Sequence, residues 1–397
     1  MKTLMLGNEA AARGLYEAGC SFVSSYPGTP RTEITECAAK YPEIYAEWAP
    51  NEKVAMEAAF GASLAGYRSF CGMKHVGLNV AADPLFTLSY TGVRGGLVIG
   101  VADDAGMHSS QNEQDSRHYA IAAKLPMLEP SDAAESLAFA KLAYEISEKF
   151  DTPVLLKMCT RVAHAQSVVE PSERQAFTPV PYEKNIAKFV MMPACAKARH
   201  PIVEQRTLAL QAWAETAEIN RMEDGADHSI GLIASSTSYQ YVKEVCGDRY
   251  PVLKLGMVNP LPVKKIQAFA KNVEKVIVVE ELDGIIEAHC RAIGVQNVTG
   301  KELFNTVGET LADSNKYTWT INLDGTTGST FSQSNVSKSN DNALLGTGNG
   351  TVMEIFVTKE YVSSSEKGSV VVSIVNTYAG QISSVMGQDA VDEDEEP

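Results

Sequence analysis

Residues 1 to about 170 alternate between short apolar runs, typical of buried β-strands, and capped helical stretches. The clearest runs are Ser21–Tyr26, Leu97–Ala102 and Pro153–Met158. Asn51 precedes one helical stretch and Asp132 precedes another, and both residue types are favoured caps at a helix N-terminus. Strands that alternate with helices pair in parallel through crossover connections. The pattern therefore predicts an α/β fold with a doubly wound parallel sheet.

The alternation returns after a polar crossover over residues 171–228, in which we predict a helix near Val203–Arg221. Strand-like and helix-like segments then follow one another from Ser229 to Ala292. This second set is shorter than the first. It predicts a second, smaller α/β domain over residues 229–310.

The composition changes beyond this point. Residues 314–397 contain no Cys, His or Arg, and about a quarter of them are Ser or Thr. Three β-like runs lie among Ser, Asn, Gly and Thr clusters. We therefore predict a β-like or disordered tail over residues 311–397, with a disordered acidic end at Asp392–Glu396.

The charge and cysteine content exclude several classes of protein. With 49 acidic and 34 basic residues the net charge is −15, which argues against a nucleic-acid partner. Apolar runs fall short of the ~20 residues of a membrane span, and Glu9 comes too early for a signal peptide. The seven cysteines are dispersed without a C-x-x-C pair, which argues against a disulfide framework or zinc ribbon. We expect a cytoplasmic protein with no membrane partner.

Three segments hold the groups that could perform chemistry: Tyr26–Glu33, Asn51–Ala62 and Met73–Pro84. Thr29 offers a hydroxyl at the carboxyl end of a strand, although a simple turn explains the same residues. A carboxylate that interacts with the helix dipole is the simpler explanation of Glu52. His75 fits either a structural or a ligand-binding role.

Together the three segments resemble the first domain of thiamine-diphosphate-dependent 2-oxoacid:ferredoxin oxidoreductases. The resemblance covers about residues 1–310, continues through Ser109–Tyr119, Val252–Pro262 and Val276–Asp283, and is greatest to the α subunits of the indolepyruvate enzymes. It implies a pyrimidine-type thiamine diphosphate-binding domain over residues 1–170. It also implies a transketolase C-terminal-like domain over residues 229–310.

The resemblance also implies roles for individual residues. Glu52 matches the catalytic glutamate that hydrogen-bonds N1′ of the aminopyrimidine and favours the imino tautomer, whose nitrogen removes the C2 proton. Substrate contacts are implied for Thr29, His75, Asn112, Asp115 and Arg117. Cofactor contacts are implied for Pro27, Gly28, Glu52, Gly77 and Asn79, and no metal ligand is predicted.

One position departs from the pyruvate enzymes. Their arginine for the substrate carboxylate aligns here with about Asp103 or Asp104. A different substrate is implied, consistent with a bulky arylpyruvate.

The family's reaction oxidatively decarboxylates a 2-oxoacid to an acyl-coenzyme A and passes electrons to ferredoxin. An arylpyruvate, coenzyme A, ferredoxin and an oxidoreductase β subunit are the implied partners, in a dimer of heterodimers. Mg²⁺ and [4Fe–4S] clusters are expected in the family, but its Gly-Asp-Gly motif and clustered cysteines are absent from this sequence.

Three hypotheses for the function follow. The first is part of an indolepyruvate ferredoxin oxidoreductase. The second is the α subunit of another 2-oxoacid oxidoreductase, with the diphosphate domain on a separate chain. The third is a truncated, non-catalytic interaction protein.

Overall fold

The computed structural model describes residues 2–309 and the backbone of four short strands beyond them, at 317–322, 330–333, 353–356 and 369–376. The chain divides into two compact units, Met1–Glu309 and Thr310–Pro397. The strands of the first unit are β1 (Thr3–Leu6), β2 (Phe22–Ser25), β3 (Tyr45–Trp48), β4 (Ser69–Lys74), β5 (Leu97–Asp103), β6 (Met127–Leu128), β7 (Val154–Cys159), β8 (Gln166–Val169), β9 (Arg221–Glu223), β10 (Ile230–Ser235), β11 (Val252–Leu255), β12 (Met257–Asn259), β13 (Lys275–Val279) and β14 (Val298–Thr299). Its helices are α1 (Gly7–Glu17), α2 (Thr32–Ala38), α3 (Glu52–Leu64), α4 (His75–Val80), α5 (Ala82–Thr91), α6 (Arg117–Ala123), α7 (Ala133–Phe150), α8 (Thr160–His164), α9 (Ile186–Phe189), α10 (Pro193–Ala214), α11 (Ser236–Cys246), α12 (Val263–Ala270) and α13 (Ile285–Ala292).

The main sheet has seven strands in the order β12-β6-β7-β5-β4-β2-β3. All neighbours pair in parallel except β12, which runs antiparallel to β6. Every residue of β5 is buried because the sheet is covered on both faces. Successive side chains alternate between two apolar cores, with Val98 in one and Ile99 in the other. The predicted doubly wound α/β fold is confirmed.

The helix caps lie where the sequence places them. Asn51 Oδ1 accepts a hydrogen bond from Val54 N at 3.0 Å at the start of α3. Asp132 Oδ1 accepts one from Glu135 N at 2.8 Å at the start of α7. Each bond satisfies a backbone donor that the first turn of a helix leaves free. The cap at Asn51 therefore determines that Glu52 opens α3.

A second sheet has five strands in the order β14-β13-β10-β11-β9. It is parallel except for β9, which lies antiparallel at one edge. Its core includes Ile233, Leu253 and Val278. The two sheets are separate, yet both belong to the compact unit that ends at Glu309. The domain boundaries drawn at residues 170, 228 and 310 stay a prediction.

The crossover helix differs from the predicted one. We expected a helix near Val203–Arg221, but α10 spans Pro193–Ala214 and Arg221 begins β9. Pro193 suits the first turn of a helix, whereas Pro201 lies inside it, where proline normally ends a helix. A pattern that starts after Pro201 therefore misses the first part of α10. No helix in the described part of the chain, α10 included, is long and apolar enough to cross a membrane.

The second unit contains the strands β15 (Tyr317–Asn322), β16 (Thr330–Gln333), β17 (Met353–Phe356) and β18 (Ser369–Asn376). They form an antiparallel sheet in the order β16-β15-β18-β17. The predicted acidic end at Asp392–Glu396 lies outside the described residues.

Candidate functional site

Four parallel strands end side by side at one edge of the main sheet, in the order β5, β4, β2 and β3. The segments after them hold the predicted site residues: Pro27–Thr29 after β2, Glu52 after β3, His75–Asn79 after β4 and Asn112–Arg117 after β5. Open α/β sheets bind ligands at this carboxyl edge. The topology therefore brings most of these residues to one region.

Glu52 is nearly buried at this edge, with 8% of the residue exposed. It packs against Gly77 of α4, where an added Cβ would lie 2.5 Å from Oε1 of Glu52. Glycine is therefore needed at residue 77 for the carboxylate to stay in place. Among the described residues, none donates a hydrogen bond to this carboxylate. It can therefore accept a partner that the chain does not supply.

The turn after β2 presents Pro27 and Thr29, both of which are exposed. Gly28 N donates a hydrogen bond to Thr32 Oγ1 at 3.0 Å, which fixes the turn. The stem of Lys74 runs past Gly28, since an added Cβ there would lie 3.2 Å from both Cγ and Cδ of the lysine. The Thr29 hydroxyl is thereby held at the edge without being buried.

Arg31, which our sequence analysis did not select, is a buried cation behind this turn. It is 1% exposed, and its Nη2 donates to the carbonyl of Tyr26 at 2.8 Å. Burial lowers the pKa of Arg31 to about 10, while the charge of Glu52 acts in the opposite direction. Gly72 makes room for it, because an added Cβ would lie 1.9 Å from Nη1 of Arg31. The only signal in the sequence is its position directly after Pro30.

His75 is 1% exposed and contacts the loop that follows β5. Its Nε2 lies 3.0 Å from the carbonyl oxygen of Asn112. A carbonyl only accepts, so Nε2 carries the proton. Nδ1 has no partner among the described residues. Asn79 is exposed at the end of α4 and accepts a hydrogen bond from the Tyr119 hydroxyl at 2.6 Å.

Asp115 and Arg117 form a buried ion pair at the junction of the two sheets, with Arg117 Nη2 2.6 Å from Asp115 Oδ2. Arg117 also donates to Glu280 Oε2 at 2.6 Å and to the carbonyls of Glu281 and Asp283 at 2.8 Å. Burial alone would raise the pKa of Asp115, but Arg117 beside it holds that pKa at about 2. These contacts use every nitrogen of Arg117, so the protein itself engages the whole guanidinium group.

Asp103 and Asp104, the two residues at which the sequence resemblance implies a departure from the pyruvate enzymes, are engaged by the chain itself. Asp103 accepts hydrogen bonds from the backbone and hydroxyl of Ser116. Asp104 accepts from Ser109 N at 2.9 Å, from Ser110 Oγ at 2.6 Å and from Thr160 Oγ1 at 2.9 Å. Both carboxylates therefore shape the loop after β5.

Glu281 follows β13 and is buried between the sheets, with 7% of the residue exposed. Its Oε1 has no hydrogen-bond partner among the described residues. Burial, together with the negative charge of Glu309, raises the pKa of Glu281 to about 7. The native protein therefore holds this proton up to neutral pH.

We expect Glu281→Gln to raise the free energy of unfolding at pH 8 by about 2–3 kcal/mol. The native carboxyl keeps its proton up to about pH 7, whereas the ordinary pKa is 4.5. Stability is therefore lost as the pH rises from about 4.5 to about 7, and glutamine removes this loss. Urea unfolding of both proteins between pH 5 and 8 measures it, with exposed Glu302→Gln as control. Equal slopes of unfolding free energy against pH in the parent and in Glu281→Gln would contradict the raised pKa of Glu281.

The parallel sheet and the polar residues at its carboxyl edge define an α/β protein built to bind a ligand there. Residues 13–228, more than half of the chain, match the family described as pyruvate flavodoxin/ferredoxin oxidoreductase, thiamine diphosphate-binding. The chain belongs to this family. The resemblance inferred from the sequence motifs is confirmed.

Curated relatives agree with this assignment. The chain is 45% identical over 312 residues to the indolepyruvate oxidoreductase subunit IorA of Archaeoglobus fulgidus, covering 76% of this chain and 50% of the relative. It is 39% identical over 328 residues to the same subunit of Pyrococcus horikoshii, covering 78% and 50%. The chain therefore spans about half the length of the curated relatives it matches.

A solved structure supports the fold. A 2-oxoglutarate:ferredoxin oxidoreductase from Magnetococcus marinus matches with a TM-score of 0.63 and 18% identity, over 78% of this chain and 63% of that chain. At this identity the likeness concerns the fold alone.

Proposed function

We propose that this chain supplies the aminopyrimidine-binding part of a thiamine diphosphate site, with Glu52 as the activating carboxylate. The observation that carries the proposal is the Glu52 carboxylate itself. It is nearly buried, accepts no hydrogen bond from the described residues, and lies at the ligand-binding edge of a family member.

The residues at this edge fit an aminopyrimidine. When bound, thiamine diphosphate supplies a nucleophilic carbon for attack on a 2-oxo group. Glu52 would hold a proton in a hydrogen bond at N1′ of the ring. Gly77 leaves room for the Glu52 carboxylate and Gly28 leaves room for the stem of Lys74, so the cofactor contacts proposed at both glycines would come from their backbone groups. Pro27 and Asn79 lie exposed on the adjoining segments as further contacts.

The proposed reaction is the oxidative decarboxylation of an arylpyruvate to an aryl-acetyl-coenzyme A. The names of the archaeal relatives support indolepyruvate as the substrate. Thr29 is the proposed substrate contact on the turn after β2, and His75 and Asn112 lie together after the neighbouring strands. By the sequence resemblance, the arginine of the pyruvate enzymes aligns with about Asp103 or Asp104, which supports a substrate other than pyruvate.

The rest of the catalytic machinery would come from outside the described residues. We propose a β-type oxidoreductase subunit, ferredoxin and coenzyme A as partners, a dimer of heterodimers, and a cytoplasmic location. Among the described residues, no group of three or more His, Cys, Asp and Glu is arranged to hold a metal ion. We propose that Mg²⁺ and [4Fe–4S] clusters, which the family resemblance implies, are held outside the described residues.

Reconstitution tests the proposal. The chain is purified with a β-type subunit, and we expect the complex to retain thiamine diphosphate and to reduce a one-electron acceptor with indolepyruvate and coenzyme A. Pyruvate and 2-oxoglutarate serve as competing substrates. Faster turnover with 2-oxoglutarate would favour the second candidate, another 2-oxoacid oxidoreductase, whose fold the chain shares. A complex that binds no thiamine diphosphate would overturn the proposal.

A further inference from the structure

The loop that follows β5, residues 104–116, is held by two side chains from the junction of β4 and α4. Lys74 Nζ donates a hydrogen bond to the carbonyl oxygen of Ser109 at 3.0 Å. His75 Nε2 donates to the carbonyl oxygen of Asn112 at 3.0 Å. These two neighbouring residues thus hold carbonyl groups three residues apart in the loop.

The loop is also organised internally. The Asp104 carboxylate accepts hydrogen bonds from Ser109 N, at 2.9 Å, and from the hydroxyl of Ser110. The Glu113 carboxylate accepts a hydrogen bond from Gly106 N at 2.7 Å. These bonds fix the shape of the loop. Thr160 Oγ1 also donates to Asp104 at 2.9 Å, and Gly308 N donates to Glu113 at 3.0 Å, so other segments anchor the loop as well. Lys74 and His75 supply the bonds that hold the carbonyl groups of Ser109 and Asn112 to the junction of β4 and α4.

Lys74 connects more than two segments. Its stem lies against Gly28, in the turn that presents Thr29, while its ammonium group reaches the loop after β5. His75 begins the helix whose Gly77 contacts Glu52. Lys74 and His75 therefore connect the segments that follow four strands, β2, β3, β4 and β5.

We propose that Lys74 and His75 are positioning residues that lock the loop of residues 104–116 beside Glu52 and Thr29. They act through the loop, so His75 determines where Asn112 stands. This inference rests on the proposed function for the identity of the ligand that the loop would border. The contacts themselves are independent of that ligand.

Hydrogen exchange of the full chain, followed by mass spectrometry, tests the proposal. Lys74→Met keeps the stem and removes the donor, and His75→Leu removes the imidazole donor. Each should speed exchange in the peptide spanning residues 105–113 by roughly threefold to tenfold, the effect of losing one hydrogen bond. Lys74→Arg and His75→Gln keep a donor and should restore slow exchange. Lys243→Met, which removes an ammonium group from α11, is the matched control.

The peptide of α7 (Ala133–Phe150) reports on global unfolding in each variant. Faster loop exchange with unchanged α7 exchange, reversed by arginine and glutamine, is the expected result. Unchanged loop exchange in Lys74→Met, or no rescue by the conservative variants, would overturn the proposal.

The turnover of the reconstituted complex distinguishes a failure of the positioning role from a failure of the proposed function. A loosened loop in a chain that never supports turnover upholds the positioning role and defeats the proposed function. Lost turnover with an unchanged loop defeats the positioning role.

Discussion

In a reconstituted complex with bound thiamine diphosphate, Glu52→Gln should slow deuterium exchange at C2 by about 10²–10⁴-fold, the usual range for a general acid–base group. Glutamine keeps the size of the side chain and can still hydrogen-bond, but it cannot share a proton with N1′. Because the group acts on the cofactor, the loss should appear in kcat and not in the affinity for substrate. Nuclear magnetic resonance of quenched samples measures the exchange directly.

The fold should survive this change. Glu52 accepts no hydrogen bond from the described residues, so the change to glutamine removes no hydrogen bond within the described part of the chain. Exposed Glu57, on the same helix, provides the control variant Glu57→Gln. If C2 exchange is as fast in Glu52→Gln as in the parent, Glu52 merely interacts with the helix dipole and the proposed site is wrong.

Arg117→Met should cost about 3–5 kcal/mol of unfolding free energy, because breaking a buried ion pair leaves its carboxylates uncompensated. The guanidinium lies 2.6 Å from both Asp115 and Glu280, and all three side chains are at most 2% exposed. Its loss also leaves the carbonyls of Glu281 and Asp283 without this donor. Urea unfolding monitored by circular dichroism measures the change at pH 7.

Arg291→Met is the matched control, since Arg291 pairs with Glu287 on α13 but its own side chain is 51% exposed. The loss should be smaller than for Arg117, because the Arg291 guanidinium is half exposed to water and Lys301 N also donates to Glu287 at 2.8 Å. The unfolding free energy of the parent protein at acidic pH provides a second measurement. The pKa of Asp115 is lowered from 3.8 to about 2, so its contribution is present above about pH 4 and lost as the pH falls toward 2. An equal loss of stability in the two arginine variants would contradict the role of Arg117.

Much of the main sheet could be predicted because its strands are short runs buried on both faces. Leu97–Ala102 was expected as a strand, and β5 adds only Asp103. Glu52 could be selected because its motif and its cap are local in the sequence. The packing of Gly77 on its carboxylate was not predictable, since it depends on how α4 leaves a different strand.

Two buried cations, Arg117 and Arg31, owe their positions partly to residues that are distant in the sequence. Arg117 belongs to the motif that resembles the family, but its neighbours Glu280 and Asp283 follow a strand of the second sheet. Arg31 needs the space above Gly72 in β4. Asp115 and Tyr26 are near these arginines in the sequence, but Glu280, Asp283 and Gly72 are distant, so no local pattern indicates that the two cations are buried.

The antiparallel strand β12 has a consequence for synthesis of the chain. It comes from the part of the sequence that builds the second sheet, yet it pairs with β6 at the edge of the first. During translation the first sheet must wait with an unpaired edge at Met127–Leu128 until residues 257–259 have left the ribosome. Unpaired strand edges are templates for association with other chains. Closure of this edge therefore depends on a segment that is synthesised only after β9, β10 and β11.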